Sequence, residues 1–281
     1  MDITYLNLET VTPMFLHGHD NKIVELRPPP FKALFRYWWR AVQGCDTGSL
    51  RKKEAKLFGS TDGKAPFSIR IPGATKNLGV PIKYNPLPHK GSSKIDAYDV
   101  GKSFNLRLIT KNTSDACCYK QIAKLSFLLG GIGNRSRRGF GSIRNTNWDF
   151  EDVCQLQQEI LDTLKDIAED KRFEMKDGII ELESPPPLLP EYPVIRLICF
   201  GKLTPDVGNL LKTIGDATHM HKDDALGYAK GGNRLASPIH VRVQKVGREY
   251  FPIVTLLRWN HPGDLSNDYK KQLKFIAHII K

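Results

Sequence analysis

The stretch GGIGNRSRRGFG, residues 130–141, contains five glycines and three arginines in twelve residues, without an acidic side chain. The apolar spacing of residues 119–129 predicts a helix that ends at Gly130, and residues 141–150 predict a strand. The stretch is therefore expected to be the loop between a helix and a strand. Its glycines would allow positive φ angles and leave backbone N–H groups accessible to an anion. The competing interpretation is a flexible turn with solvated charges.

Familiar nucleotide motifs do not fit this loop. A dinucleotide-binding turn needs a third glycine where Ser136 stands and follows a strand rather than a helix. A P-loop needs Lys followed by Ser or Thr after its glycines, and the motifs that accompany a kinase glycine loop do not occur downstream. We predict no cofactor. Arg135, Arg137 and Arg138 remain as candidates for phosphate contacts, and Phe140 either stacks on a base or packs inside.

The segments around the loop predict an α+β fold. Outward from it, the order of elements is β-α-β-β-α-β, the ferredoxin-like arrangement, with 60–102 as a hairpin or exposed insertion. The predicted strands are 3–15, 66–71, 104–110 and 141–150, and the predicted helices are 31–43, 50–58 and 119–129. A similar order of elements is predicted for the second half. It consists of strand 194–203, helix 205–215, a basic glycine-rich stretch 227–234, strands 239–246 and 251–259, and helix 266–280.

These elements predict two tandem ferredoxin-like (RRM-like) domains, each an antiparallel sheet with helices on one face. The amino-terminal domain is expected at 1–150 and the carboxy-terminal domain at 192–281. Between them, 151–191 is expected to be an acidic connector with helical spacing through 183 and a proline-rich linker. The proline run of residues 184–187 is taken as the boundary.

Charge is distributed unevenly along the chain. Residues 151–191 carry twelve acids and four basic residues, a net charge of −8. Because the whole chain has a net charge of +12, the remaining residues together carry +20. An uneven basic surface of this kind favours a polyanionic partner, most often nucleic acid, although a general solubility charge explains the composition as well.

The segment FKALFRYWWRAVQ, residues 31–43, separates into two faces on a helical wheel. Trp38 belongs to an apolar face and is expected to anchor the core. Lys32, Arg36 and Arg40 form the other face, and no acid between residues 26 and 45 offers them an i,i+4 partner, which points to an external anion. Trp39 falls among these cations and either stacks on a nucleobase or packs beneath the arginines.

Together these features resemble the RAMP superfamily, the repeat-associated mysterious proteins of CRISPR systems. The segment ELRPPPFKALFRYWWR (25–40) is similar to the first-subunit family of type III-B (Cmr) effector complexes, and GGNRLASPIHVRV (231–243) is similar to that family's second-half motif. The resemblance covers essentially the whole chain. It implies a non-catalytic RNA-binding subunit that contacts the 3′ side of the guide RNA or the guide–target duplex and caps a filament in defence against foreign RNA. The implied partners are guide RNA, target RNA and the other Cmr subunits, whereas a membrane is not expected.

Carried onto matching positions, the resemblance implies three groups of RNA-facing residues. The candidates are Arg27, Lys32, Arg36, Trp39 and Arg40; then Gly130, Gly131, Gly133, Arg135, Arg137, Arg138, Gly139, Phe140 and Gly141; and, with less support, Lys230, Asn233 and Arg234. His240, Arg242 and Gln244 alternate along one predicted strand. They either extend this surface or form an ordinary exposed polar face.

Two other functions stay open at this point. A sister class in the superfamily comprises metal-independent endoribonucleases that process CRISPR repeat RNA with general acid–base residues, and His17, His19, His219 and His221 are candidates for such a role. Two histidines without a third ligand are a weak metal signal, so we predict neither a metal site nor catalytic residues. The other alternative is a protein-only scaffold whose basic surface faces acidic subunits.

The cysteines and the amino terminus bear on the compartment. The five cysteines (Cys45, Cys117, Cys118, Cys154 and Cys199) are odd in number and lack C-x-x-C spacing, which is typical of reduced thiols. The first residues lack the pattern of a signal peptide, and no apolar stretch is long enough to span a bilayer. We therefore expect a cytoplasmic protein.

Overall fold

The structure is a computed structural model that describes residues 1–20, 22–73, 78–91, 93–169, 172–183, 191–230, 232–259 and 265–281. The proline run of residues 184–187, predicted to be the domain boundary, lies outside the described residues.

An antiparallel sheet of four strands forms the amino-terminal half, in the order β2-β5-β1-β6. Its strands are β1 (Asp2–Thr10), β2 (Phe67–Arg70), β5 (Ser103–Thr110) and β6 (Ile143–Asn145), and its helices are α1 (Pro28–Val42), α2 (Thr47–Phe58) and α3 (Thr113–Leu129). Burial alternates along β1 and β5, so that Leu6, Leu8, Leu106 and Leu108 face the core beneath α1 and α3. None of the described helices covers the opposite face of this sheet.

The predicted elements of this half occur in the predicted order, and their bounds differ. Strand β1 stops at Thr10 instead of residue 15, and β6 is only three residues long. Helix α1 begins at Pro28, three residues earlier than expected, because prolines are well accommodated in a first turn, whose N–H groups have no intrahelical acceptors. The insertion between β2 and β5 contains a hairpin of β3 (Ile82–Tyr84) and β4 (Ile95–Ala97). A hairpin was one of the two alternatives predicted for residues 60–102.

The second sheet has five strands in the order β12-β13-β9-β8-β7, all antiparallel. Its strands are β7 (Phe173–Lys176), β8 (Ile179–Leu182), β9 (Val194–Phe200), β12 (Ile239–Val246) and β13 (Glu249–Arg258). Helical spacing was expected to continue through residue 183. The connector helix α4 (Val153–Ile167) ends earlier, and β7 and β8 follow it as a hairpin. The remaining elements are α5 (Val207–Met220), α6 (Leu265–Ile280) and the small hairpin β10 (Tyr228–Lys230) and β11 (Asn233–Leu235).

Both faces of the second sheet are buried, which corrects the prediction of helices on one face only. Helices α5 and α6 cover one face, where Val241 and Val254 pack with Leu211 and Phe275. The other face packs on α1, α3 and α4, which precede most of this sheet in the sequence. The reason lies in the sequence of β13, EYFPIVTLLR, whose nearly continuous apolar run is typical of a strand buried on both sides. Helix α1 therefore lies between the two sheets.

Candidate nucleic-acid interface

Helix α1 presents the two faces that its sequence predicts. Phe31, Phe35 and Trp38 are fully buried, whereas Lys32, Arg36 and Arg40 remain partly exposed. The three basic side chains line an open groove of about 740 Å³ between α1 and the edge strand β2. The groove is open to solvent and is bounded by positive charge, as expected for a surface that binds a phosphate backbone.

Glu54, on helix α2, is the partner that the sequence analysis did not find for these arginines. Its Oε1 lies 2.8 Å from Arg36 Nε, and its Oε2 accepts a hydrogen bond of 2.6 Å from Arg40 Nε. The carboxylate is nearly buried, while the side chains of Arg36 and Arg40 are 36% and 42% exposed. No local acid pairs with these arginines, as the sequence indicates, but Glu54 of another helix does, so the lack of a local partner is not evidence for an external anion at Arg36 and Arg40. Glu54 orients both guanidinium groups along the groove wall and neutralises one of their two charges.

Lys32 differs from the two arginines because it has no acidic partner among the described residues. Its Nζ lies 5.6 Å from the centre of the Phe67 ring. Partial burial and the nearby Arg36 charge lower the pKa of Lys32. Lys32 is thus a groove cation whose charge is not offset by a carboxylate of the described residues.

Trp39 does not belong to this surface. It is 4% exposed, and its ring packs 5.7 Å from that of Phe58 in the core beneath α1 and α2. The open choice between base stacking and internal packing is settled in favour of packing. The wheel placed Trp39 among the cations because it represents α1 alone, whereas α2 covers that side of the helix.

Arg27, immediately before the first proline of α1, lies half-exposed near the start of the helix. Its Nη1 is 3.9 Å from a carboxylate oxygen of Glu25. Its role in RNA binding stays a prediction.

The glycine-rich loop is wedged between the two halves of the chain. Gly139 N donates a hydrogen bond of 2.8 Å to Val241 O, and Val241 N donates one of 3.1 Å to Arg137 O, so the loop extends the edge of the second sheet at β12. Its glycines allow close backbone packing. At Gly141, with φ +63°, a Cβ would lie 1.8 Å from Ile132 O. The N–H groups of Gly139 and Gly141 are already used by backbone carbonyls, which corrects the expectation that they are free for an anion.

The remaining loop glycines have related packing roles. A Cβ at Gly130 would meet Trp38 Nε1 at 2.2 Å, and one at Gly131 would meet Phe140 O at 2.8 Å. Gly133 has φ +86°, and a Cβ there would lie 2.4 Å from Phe15 O. Gly131 and Gly133 nevertheless border an open hollow beside α1, so their backbone lies at the candidate interface.

The three loop arginines point to different places. Arg138 donates to the backbone oxygen of Ile239 and to Ser237 Oγ, each at 3.0 Å, and burial lowers its pKa to about 10. Arg138 thus joins the halves instead of facing solvent. Arg135 has φ +59°, and burial lowers its pKa. Arg137 lies on the side of α1, with its guanidinium carbon 5.7 Å from the centre of the Tyr37 ring.

Phe140 is also internal. It is 1% exposed, and its ring lies 5.1 Å from Phe15 and 6.1 Å from Tyr84 of the insertion hairpin. Of its two predicted roles, packing is the one that the structure shows.

Tyr37 is the interface residue that the sequence analysis missed. It lines the groove and also the adjoining hollow of about 270 Å³, which includes Gly131, Gly133 and Arg137. The groove and the hollow therefore meet at Tyr37 and bring the basic face of α1 next to the glycine-rich loop. At about 100° per residue Tyr37 falls between the apolar and basic faces of the wheel, and that border position was the available signal.

His240, Arg242 and Gln244 do not extend the exposed surface, and they are not an exposed polar face. They are 7%, 1% and 2% exposed, since this side of β12 packs against α1, the glycine-rich loop and β6. Arg242 donates hydrogen bonds to Gly130 O, Val243 O and Gln244 Oε1 at 3.1, 2.8 and 2.5 Å, and another to Ile143 O. Burial lowers its pKa to about 9.

The second-half candidates lie on the hairpin of β10 and β11. Lys230 pairs in register with Asn233, and Arg234 is exposed. Among the side chains that the structure describes, none from this hairpin lines the groove or the hollow. Its role stays a prediction.

The histidine pairs do not form a metal centre. His219 stacks on His89 with ring centres 5.7 Å apart, and His221 Nε2 lies 3.1 Å from His278 Nδ1. Within the described ranges, no group of three or more His, Cys, Asp or Glu side chains is placed to hold a metal ion, a finding that covers His17 and His19. All five cysteines are free thiols.

The fold and the loop have counterparts among known proteins. Residues 7–144, which contain α1 and the glycine-rich loop, match the family model of the RAMP superfamily. These residues are called the RAMP domain below, after the family model that they match. The groove, the hollow and Tyr37 all belong to this RAMP domain or border it.

Two curated relatives come from Pyrococcus furiosus. The CRISPR system Cmr subunit Cmr1-2 is 28% identical over 176 residues, which cover 49% of this chain and 92% of that protein. Cmr subunit Cmr1-1 is 26% identical over 186 residues, which cover 58% of this chain and about half, 51%, of that protein.

Solved structures share the fold over nearly the whole chain. Apo Cmr1 from Pyrococcus furiosus has a TM-score of 0.64 at 18% identity, with 93% of this chain and 90% of that chain covered. A chain of the type III-B Cmr-beta complex bound to cognate target RNA has a TM-score of 0.63 at 13% identity, with 98% of this chain and 99% of that chain covered. The mixed α+β architecture around the RAMP domain is thus a known one. In the part of the chain that the structure describes, no helix combines the length and apolarity required to cross a membrane.

Proposed function

We propose that this protein is an RNA-binding subunit of a Cmr-type CRISPR effector complex. The observation that carries the proposal is that Tyr37 lines both cavities: the groove, which contains Lys32, Arg36 and Arg40 of α1, and the hollow, which contains Arg137 of the glycine-rich loop. Cations along an open groove beside an aromatic side chain match the chemistry of single-stranded RNA binding. The RAMP domain and the two Cmr1 relatives support this choice of partner.

We also propose a place for this subunit in the complex. The subunit contacts the 3′ side of the guide RNA or the guide–target duplex, caps the filament of subunits in the cytoplasm, and leaves RNA cleavage to other subunits. Its chain consists of ferredoxin-like units at 1–150 and 192–281, and the connector 151–191 between them adds β7 and β8 to the second sheet.

A titration with single-stranded RNA tests the groove. The double variant Lys32→Ala/Arg137→Ala removes one cation of the groove and one of the adjoining hollow. We expect weaker binding and a salt dependence reduced by about 0.7 in slope for each lost phosphate contact. The matched control is Arg51→Ala/Lys52→Ala, which removes two exposed charges from α2 outside the groove lining. Equal affinities for the two double variants would contradict the proposal.

A second measurement tests the absence of catalysis. Repeat RNA incubated with the pure protein should remain intact with or without divalent metal. Specific cleavage that is lost in His17→Ala or His219→Ala would instead assign the protein to the endoribonucleases.

A further inference from the structure

The open face of the amino-terminal sheet carries an ordered set of exposed side chains. The face opposite to the helices presents residues from every second position of β1, β2 and β5, in rows set by the strand register. One row contains Tyr5, Arg107 and Arg70, and the next contains Asn7 and Asn105. An open polar face is ordinary for an antiparallel sheet, so the composition of these rows is what matters.

The aromatic row is unusual in two respects. Tyr5 is 57% exposed although it lies on a central strand, and the Arg107 guanidinium carbon is 5.5 Å from the centre of its ring. Arg107 and Arg70 stand directly opposite each other on β5 and β2, an arrangement that like charges disfavour. Among the described residues neither arginine has an acidic partner, whereas Arg144 on the same sheet is paired with Glu9 at 3.0 Å. An anion between Arg70 and Arg107 would relieve their repulsion.

The neighbouring row adds hydrogen-bonding groups. A separate open pocket of about 290 Å³ on the sheet face is lined by Asn7 and Asn105, together with Ser103 and Thr146. Amide side chains donate and accept, so they can pair with the edge of a base that stacks on the adjacent tyrosine.

The groove leads to this face around the edge strand β2. Ser68 and Ile69 form part of the groove lining, and Arg70 lies two residues beyond Ser68 on the same side of the strand, a rise of about 7 Å. A chain that leaves the groove past β2 would therefore reach Arg70 first and then Arg107 and Tyr5.

We propose that this open sheet face is a second binding surface for single-stranded RNA, continuous with the groove. Arg70 and Arg107 bind phosphate, Tyr5 stacks on a base, and Asn7 and Asn105 contact the base edge. The continuity of the path rests on the proposed function of the groove, whereas the chemistry of the sheet face stands on its own residues.

Binding of unstructured oligouridine of about 24 nucleotides to the full-length protein tests this surface. We expect Tyr5→Ala to weaken binding about tenfold, as for the loss of one stacked base, and Tyr5→Phe to retain it because the ring remains. The double variant Arg70→Ala/Arg107→Ala should weaken binding and lower the salt slope by about 1.4, or 0.7 for each phosphate. The charge-matched control Arg248→Ala/Lys281→Ala, exposed and remote in sequence, should bind as the unaltered protein does.

The groove variant Lys32→Ala/Arg137→Ala, measured beside these, separates the two sites. Unchanged affinity in Tyr5→Ala and in the Arg70/Arg107 variant overturns the sheet-face proposal, whatever the groove variant does. If those same variants instead fail to assemble with other subunits, the face is a protein-docking surface and the proposal is again overturned. If the sheet-face variants weaken binding while the groove variant does not, the sheet face is supported and the proposed groove function fails.

Discussion

Tyr37 Oη lies 3.0 Å from His240 Nε2 and joins helix α1 to the second sheet beneath the candidate RNA groove. The two rings are 5.2 Å apart, and Trp38 closes the other side of the imidazole at 5.1 Å. The residue that links the groove to the hollow is therefore held by the packing between the two halves of the chain. Changes at that junction should affect both stability and the shape of the interface.

Acid should destabilise the protein partly through His240. Its burial, with Arg137 and Arg138 nearby, keeps its pKa well below the usual value near 6.5. Below about pH 6.5 the unfolded chain binds a proton that the folded chain does not, so this contribution to the free energy of unfolding falls by about 1.4 kcal/mol per pH unit. Denaturant unfolding between pH 5 and 8 should show a shallower acid loss in His240→Gln.

The comparison between the two proteins isolates this group, because His89 and His221 also have lowered pKa values and are present in both. Parallel stability curves for the unaltered protein and His240→Gln would show that His240 does not contribute.

Arg242 should be essential for stability rather than for RNA binding. Replacement by Met removes a buried guanidinium and leaves four acceptors from both halves without their donor, at a cost of about 3 kcal/mol or more. Arg248→Met, in the exposed β12–β13 turn, should change the free energy of unfolding by less than about 0.5 kcal/mol. Denaturant titration measures both, and equal stabilities would refute the role of Arg242.

Gly141 should tolerate no side chain. Gly141→Ala adds a Cβ at 1.8 Å from Ile132 O to the strain of its positive φ, whereas Gly247→Ala, at a similar φ of +56°, enters open space. The control should lose about 1–2 kcal/mol from the left-handed conformation alone. We expect a clearly larger loss of thermal stability for Gly141→Ala, and matching losses would mean that the loop relaxes around the new methyl group.

Trp39 should act in the core only. Trp39→Ala is expected to cost about 3–5 kcal/mol of unfolding free energy, because it leaves a cavity next to Phe58. Trp39→Phe should remain folded and bind RNA with unchanged affinity, since the indole has almost no exposed surface. Reduced RNA affinity in a well-folded Trp39→Phe protein would restore the stacking role.

Local patterns accounted for much of the amino-terminal half and of α1. Apolar spacing placed its strands and helices in order and assigned Trp38 to the core, because a helix or strand repeats its faces at a constant interval. Resemblance added the family, which the match over residues 7–144 supports. The same local view could not supply Glu54 as the partner of Arg36 and Arg40, since the carboxylate belongs to another helix.

By itself, the sequence determined the basic face of α1, the position of the glycine-rich loop after a helix, and the alternation that leaves one face of the first sheet open. Tertiary structure alone decided that Trp39, Phe140 and Arg138 are internal, that β12 has both faces buried, and that Tyr37 stands where the groove and the hollow meet. The physical reason is that exposure and ion pairing depend on which distant segments come to lie against a face. Periodicity identifies a face, whereas packing determines what covers it.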